Sequence, residues 1–232
     1  MHRILSLETS TPVCSVALHE DGQLKFLSEI HEDQSHAGKL TPLIDQALSI
    51  SGWDADSFDA IAVSAGPGSY TGLRIGTSTA KGLCFALNVP LIAVDTLKLL
   101  AQKVSRLSFA AGYLCPMLDA RRMEVYYSLF TPGLETVSPV QTVVVDAQAF
   151  DEVLNKEKVF FFGPGAEKCA AVITHGNAIF LRGLHPSAAE LGELATTELE
   201  HRRFQDLTAF EPMYLKEFLV KKSTKIERVM NK

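Results

Sequence analysis

The sequence predicts an α/β protein built from two tandem copies of one lobe. Each half of the chain reads as three consecutive strands followed by alternating helices and strands. Each half also carries a Gly-Pro-Gly triplet, Gly66-Pro67-Gly68 and Gly163-Pro164-Gly165, directly after its fourth predicted strand. Glycine permits a positive φ or a close approach and proline fixes φ, so the same turn is predicted at the same place in both halves.

The first half begins with three strands that turn back on one another. Apolar or alternating stretches indicate strands at 3–8, 13–19 and 24–30, and Asp21-Gly22 is the signal of a tight hairpin. Thr96 is predicted to cap the last helix of this half. The remaining elements alternate between helix and strand, and they are predicted at residues 40–50, 59–65, 73–87, 90–94 and 96–104.

The second half repeats this order with shorter helices. Pro186 and Ser187 begin its last helix, with Glu190 in capping-box position. Strands are predicted at 113–118, 124–130, 140–145, 159–162 and 178–181, and helices at 147–154, 166–173 and 187–202.

An antiparallel three-strand start followed by helix-linked strands is the ribonuclease-H-like arrangement. Two tandem copies give the actin-like, Hsp70-like and sugar-kinase (ASKHA) architecture, which binds nucleotide between its lobes. We therefore expect a first lobe at residues 1–104 and a second, smaller lobe at 105–215. The last helix is expected to pack back on the first lobe, and residues 216–232 read as a polar tail.

Composition limits the classes of function. The chain has 232 residues and a formal net charge of −5, so it lacks the broad positive field that drives non-specific nucleic-acid binding. Its four cysteines form no CxxC pair, which argues against a zinc site. No signal peptide and no long apolar stretch is evident, so a cytoplasmic protein without a membrane span is expected.

A cluster of four glycines between Ala65 and Gly76 is the most informative stretch. A glycine-rich turn at a helix N-terminus can present backbone N–H groups to an anion. Alternatively, the glycines only permit close helix–sheet packing. The residues that end the first strand add hydroxyl groups, although they too can form a simple polar turn. The candidate nucleotide or phosphate contacts are Glu8, Thr9, Ser10, Gly66, Gly68 and Ser69.

Two further clusters leave their role open. His31 and His36 are five residues apart, whereas a helical metal pair would be three or four apart. Ligands in a loop follow no such spacing rule, but surface or hydrogen-bonding histidines are expected and no metal site is predicted. Arg121 and Arg122 lie in a charged hairpin turn between 119 and 124. They can bind a phosphate or a partner's carboxylate, or they can simply be solvated.

Several segments together resemble the TsaB (YeaZ) family, and Gly66-Pro67-Gly68-Ser69-Tyr70-Thr71-Gly72-Leu73-Arg74 is the most specific of them. The resemblance follows the chain order and spans nearly its whole length. Its segments are Leu5-Ser6-Leu7-Glu8-Thr9-Ser10, Ser35-His36-Ala37, Ala65 to Gly76, Leu118 to Tyr126 and Pro212-Met213-Tyr214-Leu215-Lys216.

The resemblance implies a non-catalytic paralogue of the TsaD (glycoprotease) family. The catalytic relative carries a His-x-x-x-His metal pair, whereas the corresponding positions here are Thr96 and Leu100. Leucine has no donor atom, so the resemblance implies no catalytic residue and no metal. The alternative is a degenerate or active metal-dependent glycoprotease, or an ATPase, acting alone.

The resemblance further implies an accessory subunit for threonylcarbamoyl transfer to adenosine in tRNA. Its expected partners are a TsaD-like catalytic subunit and a TsaE-like ATPase, with a homodimer when alone and tRNA contact only through the complex. No cofactor is required, but ATP or ADP can lie at the interface with the partner. The two helices of the first lobe would bind the partner through Leu40, Leu43, Ile44, Ala47, Leu73, Ile75, Gly76, Thr79, Ala80, Leu83 and Leu87.

Overall fold

Two five-stranded sheets with the same internal order organise the computed structural model, which describes residues 1–32, 36–107 and 111–215. The predicted tail at 216–232 and Ser35 of the family resemblance lie outside the described residues.

The first sheet has the order β3-β2-β1-β4-β5. Strands β1 to β3 are antiparallel neighbours, whereas β4 and β5 run parallel to β1. Its strands are β1 Arg3–Glu8, β2 Val13–Glu20, β3 Gln23–His31, β4 Ala60–Ser64 and β5 Leu91–Val94. Its helices are α1 His36–Ser51, α2 Tyr70–Leu87 and α3 Thr96–Ser105.

The second sheet has the order β8-β7-β6-β9-β10, which is the order of the first sheet with the same directions. Its strands are β6 Tyr113–Asp119, β7 Glu124–Phe130, β8 Thr136–Val144, β9 Val159–Phe162 and β10 Ala178–Leu181. Its α-helices are α4 Asp151–Leu154 and α5 Ala188–Glu200. The predicted duplication and the two-lobe α/β fold class are therefore confirmed.

The helices of the second lobe are shorter than predicted. The predicted helix at 166–173 is only a 3₁₀ turn, Glu167–Cys169, and the one at 147–154 is the single turn of α4. Segments of this length gain too few backbone hydrogen bonds to offset helix nucleation. The prediction that Thr96 caps α3 is also wrong. Asp95 is the cap, because its Oδ1 accepts from the backbone N–H of Leu97 at 2.7 Å and of Lys98 at 3.0 Å.

Helices cover both faces of the first sheet. On one face, α1 and α2 pack on the sheet and build a core cluster. It includes Leu40 of α1, Ala80 of α2 and residues of β1, β2 and β4. The other face is covered by α5, whose Leu191 and Ala195 pack on Ile4 and Ile92. The last helix of the chain thus completes the core of the first lobe.

The seam between the lobes combines apolar packing with ion pairs. Helix α3 contributes Leu97 and Leu100 to a core shared with second-lobe residues such as Phe162. Toward its end, Lys103 pairs with Glu190 of α5 at 3.4 Å, and Arg106 pairs with Glu193. Because α3 and α5 are held together in this way, they connect the two sheets.

Candidate functional site

The glycine-rich block packs directly on the turn between β1 and β2. A Cβ atom on Gly72 would lie 2.1 Å from the backbone oxygen of Thr9, and one on Gly76 would lie 2.2 Å from Thr9 Oγ1. In return, Thr9 Oγ1 donates to the backbone oxygen of Gly72 at 2.8 Å. Only glycine permits this approach, so the block brings the first turn of α2 onto the hairpin.

Glu8 and Ser10 of the β1–β2 turn bond to each other within the chain. Glu8 is fully buried and accepts from the Ser10 backbone N–H at 2.6 Å and from Ser10 Oγ at 2.5 Å. Burial raises the pKa of Glu8, and the hydrogen bonds from Ser10 oppose that rise. These atoms are not presented to solvent, where a phosphate would bind.

The two glycines of the first triplet are also enclosed. A Cβ on Gly68 would lie 2.4 Å from the backbone oxygen of Ser10, and one on Gly66 would lie 2.9 Å from that of Met213. Ser69 is exposed and caps α2, since its side chain accepts from Gly72 N at 3.3 Å. Of the predicted phosphate contacts, Glu8, Thr9, Ser10, Gly66 and Gly68 make packing contacts within the chain, and Ser69 is exposed.

An open depression of about 500 Å³ lies where α1 and α2 begin. It includes the exposed cap Ser69 and the buried imidazole of His36. Its lining residues are Thr11, Pro12, His36, Ala37, Ser69, Thr71, Gly72 and Ile75.

Most of the predicted partner-binding residues lie in the protein's own core. Helical spacing selects the stripe that faces the sheet, and that stripe is what the prediction found. The buried residues are Leu40, Leu43, Ile44, Ala47, Leu73, Gly76 and Ala80. In this structure these seven side chains pack inside the lobe and offer little accessible area to a partner, so their role in binding stays a prediction. The partly exposed residues are Ile75, Thr79, Leu83 and Leu87.

The exposed side of the same helices carries apolar residues that the prediction missed. The side chain of Phe85 on α2 is 82% exposed, and that of Ile50 near the end of α1 is 66% exposed. A Cβ on Gly82 would meet nothing within 4 Å, so a neighbour can approach the backbone there. We call Ile50, Ile75, Gly82, Phe85 and Ala86 the α1/α2 face. In the sequence, this surface was indicated by a phenylalanine at a position of α2 outside the apolar stripe that faces the sheet.

The positions that correspond to the metal pair of the catalytic relative are buried. Thr96 and Leu100 are both inaccessible, and Leu100 lies in the core between the lobes. His31 instead contacts Glu29 at 3.5 Å and lies edge-on to His185, with the ring centroids 5.9 Å apart. Among the described residues, no group of three or more His, Cys, Asp or Glu side chains is arranged to hold a metal ion.

All four cysteines are buried as free thiols. Burial raises the pKa of Cys14, Cys84 and Cys169 to about 11 and raises that of Cys115 as well. A thiol with such a pKa stays protonated and unreactive at neutral pH. The cysteines are therefore small core residues.

The helices of the described chain are all too short or too polar to cross a membrane.

Comparison with known proteins identifies the relatives of this chain. A family model described as TsaD, tRNA N6-adenosine threonylcarbamoyltransferase, matches residues 29–225. The tRNA threonylcarbamoyladenosine biosynthesis protein TsaB of Haemophilus influenzae is 31% identical over 225 residues, which cover 92% of this chain and 93% of that protein.

Solved structures agree with this relationship. YeaZ from Pseudomonas aeruginosa superposes with a TM-score of 0.80 at 29% identity, over 93% of this chain and 100% of that one. The activator of the 2-hydroxyisocaproyl-CoA dehydratase from Clostridium difficile matches with a TM-score of 0.52 at 8% identity, over 91% of this chain and 99% of that one, and so shares the fold. Together with the duplicated lobes and the glycine-rich block, these matches establish that the chain belongs to the TsaB (YeaZ) family within the wider TsaD family.

Proposed function

We propose that this protein is an accessory subunit of the cytoplasmic machinery that makes threonylcarbamoyladenosine in tRNA. In this role it binds a TsaD-like catalytic subunit through the α1/α2 face and supports that subunit's activity, without carrying out the transfer itself. A TsaE-like ATPase completes the assembly, and the isolated chain forms a homodimer through the same face.

The exposure of Phe85 is the observation that carries this proposal. An aromatic side chain that is 82% exposed, beside a glycine with open space at its Cβ position, is typical of a helix that packs against another protein. Ile50 extends the apolar surface at the same end of the neighbouring helix. Burial of this face in a partner would remove the apolar area from water.

Glu8 and Asp95, two carboxyl groups that an ATPase acting alone could use to hold magnesium, are engaged in contacts within the chain. Glu8 is enclosed by Ser10, and Asp95 caps α3 through Leu97 and Lys98. Burial raises the pKa of both carboxyl groups. These contacts favour the accessory role over a glycoprotease or an ATPase that acts alone.

We further propose that a nucleotide used by the complex binds at the seam with the partner. The depression at the start of α1 and α2 adjoins the α1/α2 face and includes Ser69, the one predicted phosphate contact that is exposed. A partner seated on the face would close the open side of this depression.

The test is co-expression with the TsaD-like protein of the same organism, followed by size-exclusion chromatography with light scattering. We expect a one-to-one heterodimer that replaces a homodimer. Phe85→Glu should weaken the heterodimer by about 30-fold or more, because it places a charge in the apolar centre of the contact.

Val144→Glu is the matched control, since Val144 is 68% exposed on β8, away from this face. That variant should assemble like the wild type. A wild-type chain that stays monomeric beside the TsaD-like protein would rule out the accessory role and would direct attention to an activity of its own.

A further inference from the structure

The turn between β6 and β7 holds two exposed arginines in a backbone conformation that arginine rarely adopts. Arg121 has a φ of 72° and Arg122 a φ of 48°. Both lie in the left-handed region, where a side chain with a Cβ is strained and where glycine or asparagine is usual. Strain of this kind persists when the surrounding structure enforces it, and it concentrates at functional sites.

Lys168 enforces the shape of this turn. Its Nζ donates to Asp119 Oδ1 at 2.6 Å and to the backbone oxygens of Arg122 and Glu124 at 2.7 Å each. Asp119 Oδ1 also accepts from the Arg121 backbone N–H at 2.7 Å. The turn is thus held from both sides by hydrogen bonds.

The charges of this turn are unequally compensated. The ammonium group of Lys168 neutralises Asp119. Within residues 1–32, 36–107 and 111–215, neither Arg121 nor Arg122 forms an ion pair. Two guanidinium groups therefore project from a fixed turn without an ion-pair partner among the described residues.

The duplicated fold explains why the turn is accessible. The corresponding turn in the first lobe lies between β1 and β2. It is covered by the first turns of α2, which pack on Thr9. In the second lobe, Gly165 packs against Leu118 in the same way. A Cβ atom on Gly165 would lie 2.6 Å from the carbonyl carbon of Leu118. The segment that follows is only the Glu167–Cys169 turn, so no long helix covers the tip of the hairpin in the part of the chain that the structure describes.

We propose that the Arg121–Arg122 turn binds phosphate groups of the RNA strand once this chain is assembled with its catalytic partner. The proposal rests on the accessory role above. Adjacent guanidinium groups suit a linear array of phosphates, and Arg is the side chain best shaped for that contact. RNA is the expected anion because relatives of this chain are named for tRNA modification.

The net charge of the chain defines what this contact can do. A chain of net charge −5 lacks the broad positive field that drives non-specific RNA binding. The turn would therefore act as a positioning contact that orients RNA already held by the complex, without reading its sequence.

The test measures tRNA binding to the purified heterodimer at several salt concentrations. Arg121→Gln/Arg122→Gln should weaken binding about tenfold at low salt and should reduce the slope of log K against log salt by about one to two. Lys156→Gln/Lys158→Gln is the control, because it removes the same charge from another exposed part of the second lobe. That control should change neither quantity appreciably.

A second variant separates binding from folding. Arg121→Asn/Arg122→Gly installs residues that tolerate a positive φ, so its melting temperature should rise while RNA binding is still lost. A loss of binding together with a more stable chain cannot be caused by misfolding.

Three outcomes would overturn the proposal. The first is a variant heterodimer with unchanged RNA affinity and salt slope, which leaves the accessory role intact. The second is weakened binding of the catalytic subunit instead, which would assign the arginines to a partner carboxylate. If the wild-type heterodimer does not form, the accessory role fails and RNA binding is tested on the chain alone. The measurement is then amide NMR with an RNA stem-loop at low salt. The third outcome is that no amide signals of residues 119–124 shift when the RNA is added.

Discussion

Individual glycines set the distance between α2 and the first hairpin. Gly72 and Gly76 bring the helix so close to Thr9 that a single methyl group has no space at either position. Gly82, in the same helix, has open space at its Cβ position. One helix therefore contains both glycines that are required by packing and a glycine that is not.

These glycines give a paired prediction for stability. Gly72→Ala should lower the free energy of unfolding by about 2–4 kcal/mol, because the new methyl group would meet the Thr9 backbone oxygen, which cannot rotate away. Gly82→Ala should raise it by about 0.5–1 kcal/mol, since alanine is the better helix former in an exposed position. Urea unfolding of both variants provides the measurement, and equal effects of the two would contradict this account.

At the same scale, the sequence left the role of the glycine-rich block undecided. Its composition fits an anion-binding loop and a packing surface equally well. The choice depends on whether Thr9 and Ser10 turn toward the helix, and their hydrogen bonds to Gly72 and Ser69 are tertiary contacts. Residue pattern alone could not supply them.

Among the elements, α5 has the greatest influence on the fold. Its N-terminus is tied to the first sheet by a hydrogen bond from the Ala188 backbone N–H to Ser15 Oγ at 2.9 Å. Further along, Gly192 lies so close to His19 of β2 that a Cβ would be 2.0 Å from Nδ1. The helix thus docks over a fully buried histidine.

This docking predicts a loss of stability in mild acid. Burial lowers the pKa of His19 to about 4, and the nearby charge of Arg106 contributes in the same direction. The unfolded chain, with an ordinary histidine, binds the proton more readily, so stability is retained above the unfolded pKa of about 6.5 and is lost as the pH falls toward 4. At pH 5 the contribution of His19 should be a loss of about 2 kcal/mol relative to pH 7.5.

The variant His19→Leu isolates this contribution from those of other titrating groups. Urea unfolding at pH 7.5 and pH 5.0 should show a smaller loss for the variant than for the wild type. An identical pH dependence in both chains would mean that His19 does not control the docking of α5.

Prediction at the scale of elements succeeded for strands and long helices. The bounds of β1, β7, β9 and β10 agree with the sequence pattern because apolar runs between turn residues define them. The capping box of α5 is only half present in this chain. Ser187 accepts from Ala189 N, but Glu190 turns to Lys103 of α3, a partner that is distant in sequence.

For the whole molecule, the duplicated lobes are not independent. The first sheet needs α5 from the end of the second lobe, and α3 shares its core with β6 and β9. The repetition of strand order was visible in the sequence through the paired Gly-Pro-Gly triplets. The seam was not, because it depends on contacts between residues about a hundred positions apart.

The shared core predicts a single unfolding transition. In differential scanning calorimetry we expect a ratio of calorimetric to van't Hoff enthalpy close to one. A chain that ends at residue 186 lacks α5 and exposes Ile4, Ile92 and Val94, so it should lose the cooperative transition. A chain that ends at residue 215 retains every described element and should keep it. Two separate transitions in the intact protein would show that the lobes fold independently.

Because α5 comes late in the sequence, one face of the first sheet stays uncovered during much of the synthesis on the ribosome. The strands of the first sheet are complete at Val94, but the helix that covers one of its faces begins only at Ala188. At roughly 5–20 residues per second, translation of the intervening segment takes on the order of ten seconds. Throughout that interval the nascent chain presents an uncovered apolar sheet, so the time at which it is most prone to aggregate or to engage a chaperone is fixed by the order of its own elements.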